Sequence, residues 1–494
     1  MYIGGLDIGT TGCKLTVFNE QGEQLHKSYC DYPIKRTASA HDIDATAVLK
    51  GVWKVIQDTT DQYVEIEGIG ITSFGETFVM TDGEGNPLHP AMLYTDPRGS
   101  EQCKKLCERI GEKKIAEISG TKPHEMYSLP KIMWIKENQP EIYKKAEHVF
   151  LMEDFVIYHL TGKARIDYSL ATRTMGFDIK NFEWSKEIFE KAGIDLQLMS
   201  QTVPTGTIAG TISNAAAKKT GLREDTKIVC ISHDQIAAAV GAGVFDSDTA
   251  VDGAGTVECI TPIYDEIPDM EVMTKGNYAV VPYAIPGKYV CYAFSYTGGA
   301  LIQWCTDTLA KKEKEQAGAL GITVNEYLES QSCSPTGILV LPHFAGAATP
   351  YMDTESKGAV LGLTTATTAA DIYRGCMEGV VYEMVLNLEY LKQSGTHFKK
   401  LHATGGGAHS QVWMQMKADM INLPIISLNT VDAGTVGSAM LTGIAIGCFA
   451  DLEEAALKMV RPIHTYHPRA EMHEKYSLIY QNYRGVYKAV RSLL

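Results

Sequence analysis

The feature that most constrains the fold of this chain is a turn rich in glycine and threonine between two apolar segments at its start. Residues 5–14 read Gly-Leu-Asp-Ile-Gly-Thr-Thr-Gly-Cys-Lys, and a second apolar run covers residues 15–18. This pattern predicts a β-hairpin whose tip presents backbone N–H groups, hydroxyls and a lysine, which suits an anion such as a triphosphate. Asp7 precedes the tip, where a carboxylate can hold a cation that bridges phosphates.

A second stretch of the same kind lies far downstream. Residues 251–257 read Val-Asp-Gly-Ala-Gly-Thr-Val and stand between apolar segments. Two such hairpins facing each other across a cleft would clamp one nucleotide. Each hairpin taken alone is equally well explained as an ordinary glycine-rich turn, because short motifs also match by chance.

The length and the alternation of patterns predict two large α/β domains. A chain of 494 residues is too long for one ordinary core. Strand-like runs at 69–71 and 227–231 alternate with helical patterns such as residues 44–58, which is typical of the α/β class. We place the domain boundary after residue 245, just before the second hairpin, and so predict domains 1–245 and 246–494.

The net charge and the absence of certain motifs argue against several classes of protein. The formal net charge of −14 lacks the basic footprint of a nucleic-acid binder, so an anionic substrate would need a local positive site or a metal ion. The chain contains no P-loop, no Gly-x-Ser-x-Gly elbow and no His-Glu-x-x-His motif. These absences argue against P-loop kinases, serine hydrolases and zinc proteases.

Cysteine usage and hydropathy give expectations about location and partners. The eleven cysteines are an odd number without Cys-x-x-Cys pairs, which indicates free thiols in a reducing cytoplasm. No basic and apolar leader precedes the first strand, and the apolar stretch 436–450 is short for a membrane span and carries three glycines. We therefore expect a cytoplasmic protein with no nucleic-acid or membrane partner. A homodimer is compatible with the sequence, which is otherwise silent on assembly.

Longer motifs connect these features to one family. Residues 126–138 match in full a signature of the FGGY family of carbohydrate kinases, and residues 155–162 followed by 167–169 resemble its next landmark. The chain resembles this family from the first hairpin to about residue 470, and is most similar to its xylulokinase-like branch. The resemblance implies two actin-like (RNase H-like) ATPase domains that flank a central cleft and close over ATP and a sugar.

The candidate catalytic residue is Asp234, in the sequence Ser-His-Asp-Gln at 232–235. It lies at the predicted end of a strand and start of a helix, where α/β proteins expose functional groups. Its match to the family implies the general base that accepts the proton of the hydroxyl being phosphorylated. The alternative is an N-cap of the following helix, a common role for aspartate.

The resemblance also implies a nucleotide site with Mg²⁺. Asp7 corresponds to the acid that holds the metal, with Asp234 as the second carboxylate near it. The residues implied to contact ATP are Thr10, Thr11, Gly12 and Lys14 on the first hairpin, Thr256 on the second, and Gly299, Gln303, Gly406, Gly407 and Gln411 around the nucleoside. Lys14 has an alternative interpretation as a solvated strand residue, and the glycines one as tight packing without a ligand.

Four residues are candidates for sugar binding: Glu76, Asp96, Arg98 and Gln235. Glycerol kinases show Arg-Glu-Thr where this chain has Gly-Glu-Thr at 75–77, and xylulokinases usually show Met-His. Gln235 beside Asp234 matches the Asp-Gln of glycerol kinases. Arg98 has an alternative role in a structural salt bridge, and Glu76 one as a surface acid paired with a lysine.

The sequence therefore predicts a kinase that uses ATP and Mg²⁺ to phosphorylate a terminal hydroxyl of a small sugar. A pentulose such as D-xylulose is the first candidate; the alternatives are another ketose or a polyol, of the ribulose, fuculose, glycerol or erythritol type. A different class is a nucleotide-driven ATPase or a non-catalytic sugar sensor of the same superfamily. Asp234 argues against a sensor, and the signature around Lys131 argues against a chaperone-type ATPase.

Overall fold

The structure is a computed structural model that describes residues 1–37, 39–333, 335–429 and 432–493. Strands and helices alternate along the chain, which confirms the α/β class. Two extended sheets, one on each side of the predicted boundary at 245/246, form the centres of the two halves. The boundary itself stays a prediction.

The N-terminal half begins with the predicted first hairpin. Its strands are β1 (Tyr2–Ile8), β2 (Gly12–Asn19), β3 (Gln24–Asp31), β4 (Ile34–Arg36), β5 (His41–Ile43), β6 (Ile66–Ser73), β7 (Phe78–Thr81), β8 (Ala91–Met92), β9 (His148–Leu151), β10 (Arg165–Asp167), β11 (Phe177–Asp178), β12 (Glu183–Trp184), β13 (Gln201–Val203), β14 (Thr207–Thr211) and β15 (Lys227–His233). Its helices are α1 (Ala45–Thr60), α2 (Ser100–Ile110), α3 (Glu112–Ser119), α4 (Ser128–Asn138), α5 (Pro140–Lys145), α6 (Met152–Thr161), α7 (Tyr168–Thr172), α8 (Lys186–Ala192), α9 (Asn214–Thr220) and α10 (Asp234–Gly241), with a 3₁₀ turn at Leu196–Leu198.

The C-terminal half begins with the second hairpin. Its strands are β16 (Thr249–Ala254), β17 (Glu258–Tyr264), β18 (Val280–Pro282), β19 (Tyr289–Cys291), β20 (Ala293–Ser295), β21 (Leu339–Leu341), β22 (Ala359–Leu361), β23 (Lys400–Thr404), β24 (Ile425–Leu428) and β25 (Pro462–Tyr466). Its helices are α11 (Met270–Lys275), α12 (Gly299–Leu309), α13 (Lys311–Leu320), α14 (Val324–Gln331), α15 (Ala369–Lys392), α16 (Gln411–Ile421), α17 (Ala433–Ala445), α18 (Leu452–Met459), α19 (Ala470–Tyr483) and α20 (Val486–Arg491), with a 3₁₀ turn at Gly406–His409.

The N-terminal sheet has the strand order β14-β15-β6-β1-β2-β3. β1 pairs antiparallel with β2, and it pairs parallel with β6, which in turn pairs parallel with β15. The carboxyl ends of β1, β6 and β15 therefore meet at one edge, the usual place of a site in an open α/β sheet. Asp7, Glu76 and Asp234 lie at or just after these three ends.

The C-terminal sheet repeats this logic with the order β18-β19-β17-β16-β23-β24-β25, and β20 also pairs with β17. β16 and β17 form the second hairpin, which confirms that prediction. β16 runs parallel to β23, and Gly253 stands opposite Thr404. The tip of the second hairpin and the glycine-rich turn after β23 thus lie side by side.

Two helices cross in very close contact where the halves meet. A Cβ atom added to Gly437 of α17 would lie 1.9 Å from the carbonyl oxygen of Ala237 in α10. One added to Gly241 of α10 would lie 2.0 Å from the carbonyl oxygen of Ala433. Glycine is the residue that permits such backbone approach. α17 confirms the buried helix expected from the apolar stretch, and it also packs on β1 and β6 of the other half.

None of the helices in the described part of the chain combines the length and apolar character that a membrane crossing requires. The eleven cysteines, which all lie among the described residues, carry free thiols as expected.

The helix crossing gives a stability prediction. Gly437→Ala places a methyl group against the backbone of α10, so we expect the thermal unfolding midpoint to fall by roughly 5 °C or more. The matched control is Gly318→Ala in α13, where an added Cβ meets nothing within 4 Å. There alanine should leave the midpoint unchanged or raise it slightly, because it is the better helix former. Equal unfolding midpoints for the two variants would contradict the view that the backbones of α10 and α17 leave no space for a side chain at Gly437.

Candidate active site

Asp234 lies at the junction of β15 and α10. The N-cap position falls on His233, so Asp234 is the first residue of the helix rather than its cap. The helix-cap interpretation of Asp234 is therefore wrong. Its side chain is partly exposed, and the charges of Asp7, Glu76 and Arg173 all act on its carboxylate.

The surroundings of Asp234 hold its pKa far above the ordinary aspartate value. Burial is the main cause and Asp7 and Glu76 add repulsion, while the backbone N–H of Gln235 and the charge of Arg173 oppose the rise; the pKa reaches about 7. A carboxylate with a pKa near neutrality is a more effective general base than an ordinary aspartate. The site therefore supplies what proton abstraction from a hydroxyl requires.

His233 connects Asp234 to the other half of the molecule. Its Nε2 lies 3.3 Å from Oδ1 of Asp234, and its Nδ1 lies 3.3 Å from the hydroxyl of Tyr292. Burial and the nearby Arg173 lower the pKa of His233 well below its usual range, so the ring is neutral. Tyr292 stands between β19 and β20, so the C-terminal half contacts the residue next to Asp234.

Lys14 is held in an ion-pair network at the first hairpin. Its Nζ lies 3.2 Å from Oδ2 of Asp7 and 3.0 Å from Oδ1 of Asp432, which precedes α17. Lys27 also binds Asp432. The solvated-strand interpretation of Lys14 is therefore wrong, although a phosphate contact stays a prediction. Nothing in the local sequence singles out Asp432, which is 418 residues away.

The carboxylates at this edge are compatible with a bound Mg²⁺ ion. Among the described residues, no group of three or more His, Cys, Asp or Glu side chains could hold a metal alone. Mg²⁺ usually keeps several waters and binds one or two carboxylates together with substrate phosphates. Asp7 and Asp234 fit this pattern: burial raises the pKa of Asp7, and the charge of Asp7 raises the pKa of Asp234. A cation held by these carboxylates would offset their repulsion.

Glu76 is buried and bound to an arginine that the sequence did not identify. Nε of Arg173 donates to Oε1 of Glu76 at 2.6 Å, and Nη2 donates to the same oxygen. Glu76 has φ 62°, a left-handed conformation that costs energy outside glycine, and Oγ of Ser128 donates to its carbonyl oxygen at 2.7 Å. The interpretation of Glu76 as a surface acid paired with a lysine is therefore wrong.

Gly75 makes room for this pair. A Cβ atom at Gly75 would lie 2.9 Å from Cγ of Arg173 and 3.1 Å from Cδ2 of His233. The side chain of Arg173, which follows α7, thus occupies space that a larger residue before Glu76 would need. No local pattern around Arg173 predicts this contact across 97 residues.

Asp96 and Arg98 bind each other. Nε of Arg98 lies 2.8 Å from Oδ1 of Asp96, Nη2 lies 2.6 Å from Oδ2, and Nη2 also binds Asp42. This is the structural salt bridge that the sequence left open for Arg98. A sugar contact of either residue stays a prediction, and so does one of Gln235, the second residue of α10.

The second hairpin and α12 form one compact unit. The backbone N–H of Gly299 donates to the carbonyl oxygen of Gly255 at 2.9 Å, and that of Ala300 donates to the carbonyl oxygen of Thr256 at 3.1 Å. The N-terminus of α12 is thereby fixed against the hairpin tip. Gln303 lies one turn further on and donates to Asp307 at 2.7 Å. The nucleotide contacts predicted for Thr256, Gly299 and Gln303 stay predictions.

The glycines of the predicted nucleotide site differ in their surroundings. An added Cβ atom at Gly12 would lie 2.8 Å from the carbonyl oxygen of Cys30. One at Gly407 would lie 2.9 Å from Cβ of Ala254. Packing alone therefore explains both. Gly406 has open space around it, since an added Cβ would meet nothing within 4 Å of the described chain. Of these three, Gly406 leaves the most room for a ligand; nearby Gln411 is exposed at the start of α16.

The aspartates of the two hairpins have different surroundings. Asp252 in β16 occupies a place like that of Asp7 in β1, but Nζ of Lys417 lies 2.7 Å from its Oδ2 and also binds Glu258. All three side chains are buried. Asp252 therefore belongs to an internal ion-pair cluster, which leaves Asp7 as the hairpin aspartate that can serve a ligand.

Comparison with known proteins identifies the family. The profile of the FGGY family of carbohydrate kinases, N-terminal domain, matches residues 2–241, and that of the C-terminal domain matches residues 263–446. The chain belongs to the FGGY family of carbohydrate kinases. It is accordingly an ATP-dependent phosphotransferase with an alcohol group as acceptor.

Individual relatives match over the full length. Xylulose kinase of Bacillus subtilis (strain 168) is 26% identical over 497 residues, covering 100% of this chain and 98% of that protein. Glycerol kinase of Oceanobacillus iheyensis is 28% identical over 508 residues, covering 99% and 98%. The crystal structure of a ligand-bound xylulose kinase from Lactobacillus acidophilus has a TM-score of 0.89 at 22% identity, covering 99% and 98%. The fold is thus the expected pair of actin-like ATPase domains.

The raised pKa of Asp234 predicts an acid limb in the pH profile. Only the ionised carboxylate accepts a proton, so kcat/KM for the sugar should fall about tenfold per pH unit below the pKa near 7. Steady-state kinetics between pH 5 and 9, in buffers of constant ionic strength, measure this profile. A rate that stays level down to about pH 5 would show that the working base has an ordinary carboxyl pKa.

Proposed function

We propose that the protein transfers the γ-phosphoryl group of ATP to a terminal hydroxyl of a small sugar, and that the sugar is a pentulose such as D-xylulose. The observation that carries the proposal is the position of Asp234 at the first residue of α10, where the charges of Asp7 and Glu76 act on its carboxylate. Full-length similarity to xylulose kinases supports the choice of sugar.

Asp234 is the proposed general base. Phosphoryl transfer needs an aligned hydroxyl, an acceptor for its proton and stabilisation of the phosphate charge. The raised pKa of Asp234 suits the second task, since the carboxylate gains a proton readily once the hydroxyl begins to attack. His233 lies beside Oδ1 and limits the orientations that this carboxylate can adopt.

The proposed nucleotide contacts lie on the two hairpins and the glycine-rich turn. Thr10, Thr11 and Lys14 on one side and Thr256 on the other are the groups that we assign to the phosphates. Mg²⁺, bound near Asp7 and Asp234, would neutralise phosphate charge that this acidic site does not balance by itself. Lys14 keeps Asp7 and Asp432 in place, and its ammonium group has three N–H donors, so one remains for a phosphate.

A polyol is the second candidate for the acceptor. Glu76 and Gln235 are the residues that glycerol kinases show at these positions, and glycerol kinase of Oceanobacillus iheyensis is as similar in sequence as the xylulose kinases are. The buried Glu76 carboxylate can accept hydrogen bonds from sugar hydroxyls in either case. A panel of pentuloses, other ketoses and polyols separates the two candidates.

The role of Asp234 is tested by Asp234→Asn. The amide keeps the shape of the carboxylate but accepts no proton, so kcat should fall by about 10²- to 10⁴-fold. Affinity for ATP, measured by calorimetry, should change little. Asp195→Asn is the matched control, because Asp195 caps a remote 3₁₀ turn and asparagine caps equally well. Near-normal turnover of Asp234→Asn would refute the assignment.

A further inference from the structure

We propose that Arg173 determines sugar specificity, and that its free Nη1 group selects a substrate with an acceptor-only oxygen next to its hydroxyls. Such an oxygen is the carbonyl of a ketose or the carboxylate of an aldonic acid, as opposed to the hydroxyl of an alditol. The inference rests on the proposed function in that it places the sugar beside Glu76.

The hydrogen bonds of Arg173 leave one of its nitrogens without a partner. Nε and Nη2 both donate to Oε1 of Glu76, whereas Nη1 has no hydrogen-bond partner among the described residues. The residue is 6% exposed, so water does not serve this nitrogen freely. A buried donor without a partner is costly, and a native structure retains one chiefly where a ligand or an ordered water completes it.

The guanidinium group is fixed in orientation by two aromatic rings. Its central carbon lies 5.3 Å from the ring centre of Tyr127 and 5.8 Å from that of Tyr292. Tyr127 precedes α4 in the N-terminal half, and Tyr292 belongs to the C-terminal half. Contacts of this kind favour arginine and restrict the plane of its donors, so Nη1 presents its hydrogens in a set direction.

Arg173 borders a cavity at the meeting point of the two halves. The cavity has a volume of about 270 Å³, and its lining includes Lys122, Tyr127, Tyr292 and Phe294 as well as Arg173. The charge of Arg173 also acts on Asp234, and Gly75 separates its side chain from the ring of His233. Arg173 therefore binds Glu76, acts on the proposed base through its charge, and borders this cavity.

The donor-only character of arginine gives the specificity. A guanidinium group only donates hydrogen bonds, and Oε1 of Glu76 already accepts two. A carbonyl or carboxylate oxygen accepts from Nη1 without bringing a proton of its own. An alditol hydroxyl that accepts there must also direct its own proton to another acceptor, such as Oε2 of Glu76, and it is a weaker acceptor for a guanidinium group than a carboxylate oxygen. Sites built around such hydrogen bonds discriminate strongly against analogues that cannot complete them.

The test measures sugar binding by calorimetry in the absence of ATP. Its ligands are D-xylulose, D-xylonate and xylitol, which share the carbon skeleton and differ in whether they carry a carbonyl, a carboxylate or only hydroxyls. We expect the wild type to bind the ketose or the aldonate at least about 10-fold more tightly than the alditol. The comparison between the first two ligands identifies which acceptor oxygen the site prefers.

Arg173→Lys is the informative variant, since lysine keeps the positive charge beside Glu76 but lacks Nη1. The preference over xylitol should fall below about threefold, mainly through weaker binding of the preferred sugar. Arg165→Lys is the matched control: Arg165 donates to the carbonyl oxygens of Ile208 and Ala209 at the edge of the same half. It should retain the wild-type preference.

Two results would overturn the proposal. One is a wild type that binds the three sugars equally or binds none of them, a result that needs no variant to fold. The other is a folded Arg173→Lys protein that keeps the full preference over xylitol, which would reduce Arg173 to a structural partner of Glu76. Binding is measured without ATP, so the outcome of this test does not depend on phosphoryl transfer. A failure of phosphoryl transfer would count against the proposed function and would leave the measured sugar preference unchanged.

Discussion

The backbone contact between α10 and α17 is the constraint on which the rest of the site depends. Gly241 and Gly437 let the two helices cross with their main chains in contact. α10 begins with Asp234, and Asp432, which binds Lys14, directly precedes α17. The crossing therefore brings a helix from late in the chain against the first hairpin and the proposed base. A side chain at either glycine would collide with the backbone of the other helix.

Charged side chains near this crossing act on the proposed base and on the first hairpin. Lys14 binds Asp7 and Asp432, and Lys27 also binds Asp432, whereas Asp234 has the charges of Asp7 and Glu76 near it. Burial, together with repulsion from Asp7 and Glu76, raises the pKa of Asp234 to about 7. The same uncompensated negative charge would favour a bound cation, so the proposed metal site and the raised pKa of Asp234 have one electrostatic cause.

Local patterns in the sequence were sufficient to predict strands and helices, but not to predict which distant side chains bind each other. Both hairpins, the β15–α10 junction and the buried helix α17 follow from residue patterns within about fifteen positions. Arg173 and Asp432 could not be predicted, because their partners Glu76 and Lys14 are 97 and 418 residues away and neither pair has a local signal. Asp252 shows the converse limit: its motif repeats that of Asp7, yet Lys417 neutralises it in the core. The roles of the nucleotide and sugar ligands stay predictions.

The proposed activity is phosphorylation of a terminal hydroxyl of a small ketose. Its most direct test is ³¹P NMR of the purified protein incubated with ATP, Mg²⁺ and D-xylulose, with parallel samples that contain EDTA or a polyol. We expect a phosphate monoester on a terminal carbon of the ketose, formed together with ADP and absent when EDTA removes the metal. ATP hydrolysis without a sugar phosphate, or transfer that persists undiminished in EDTA, would contradict it.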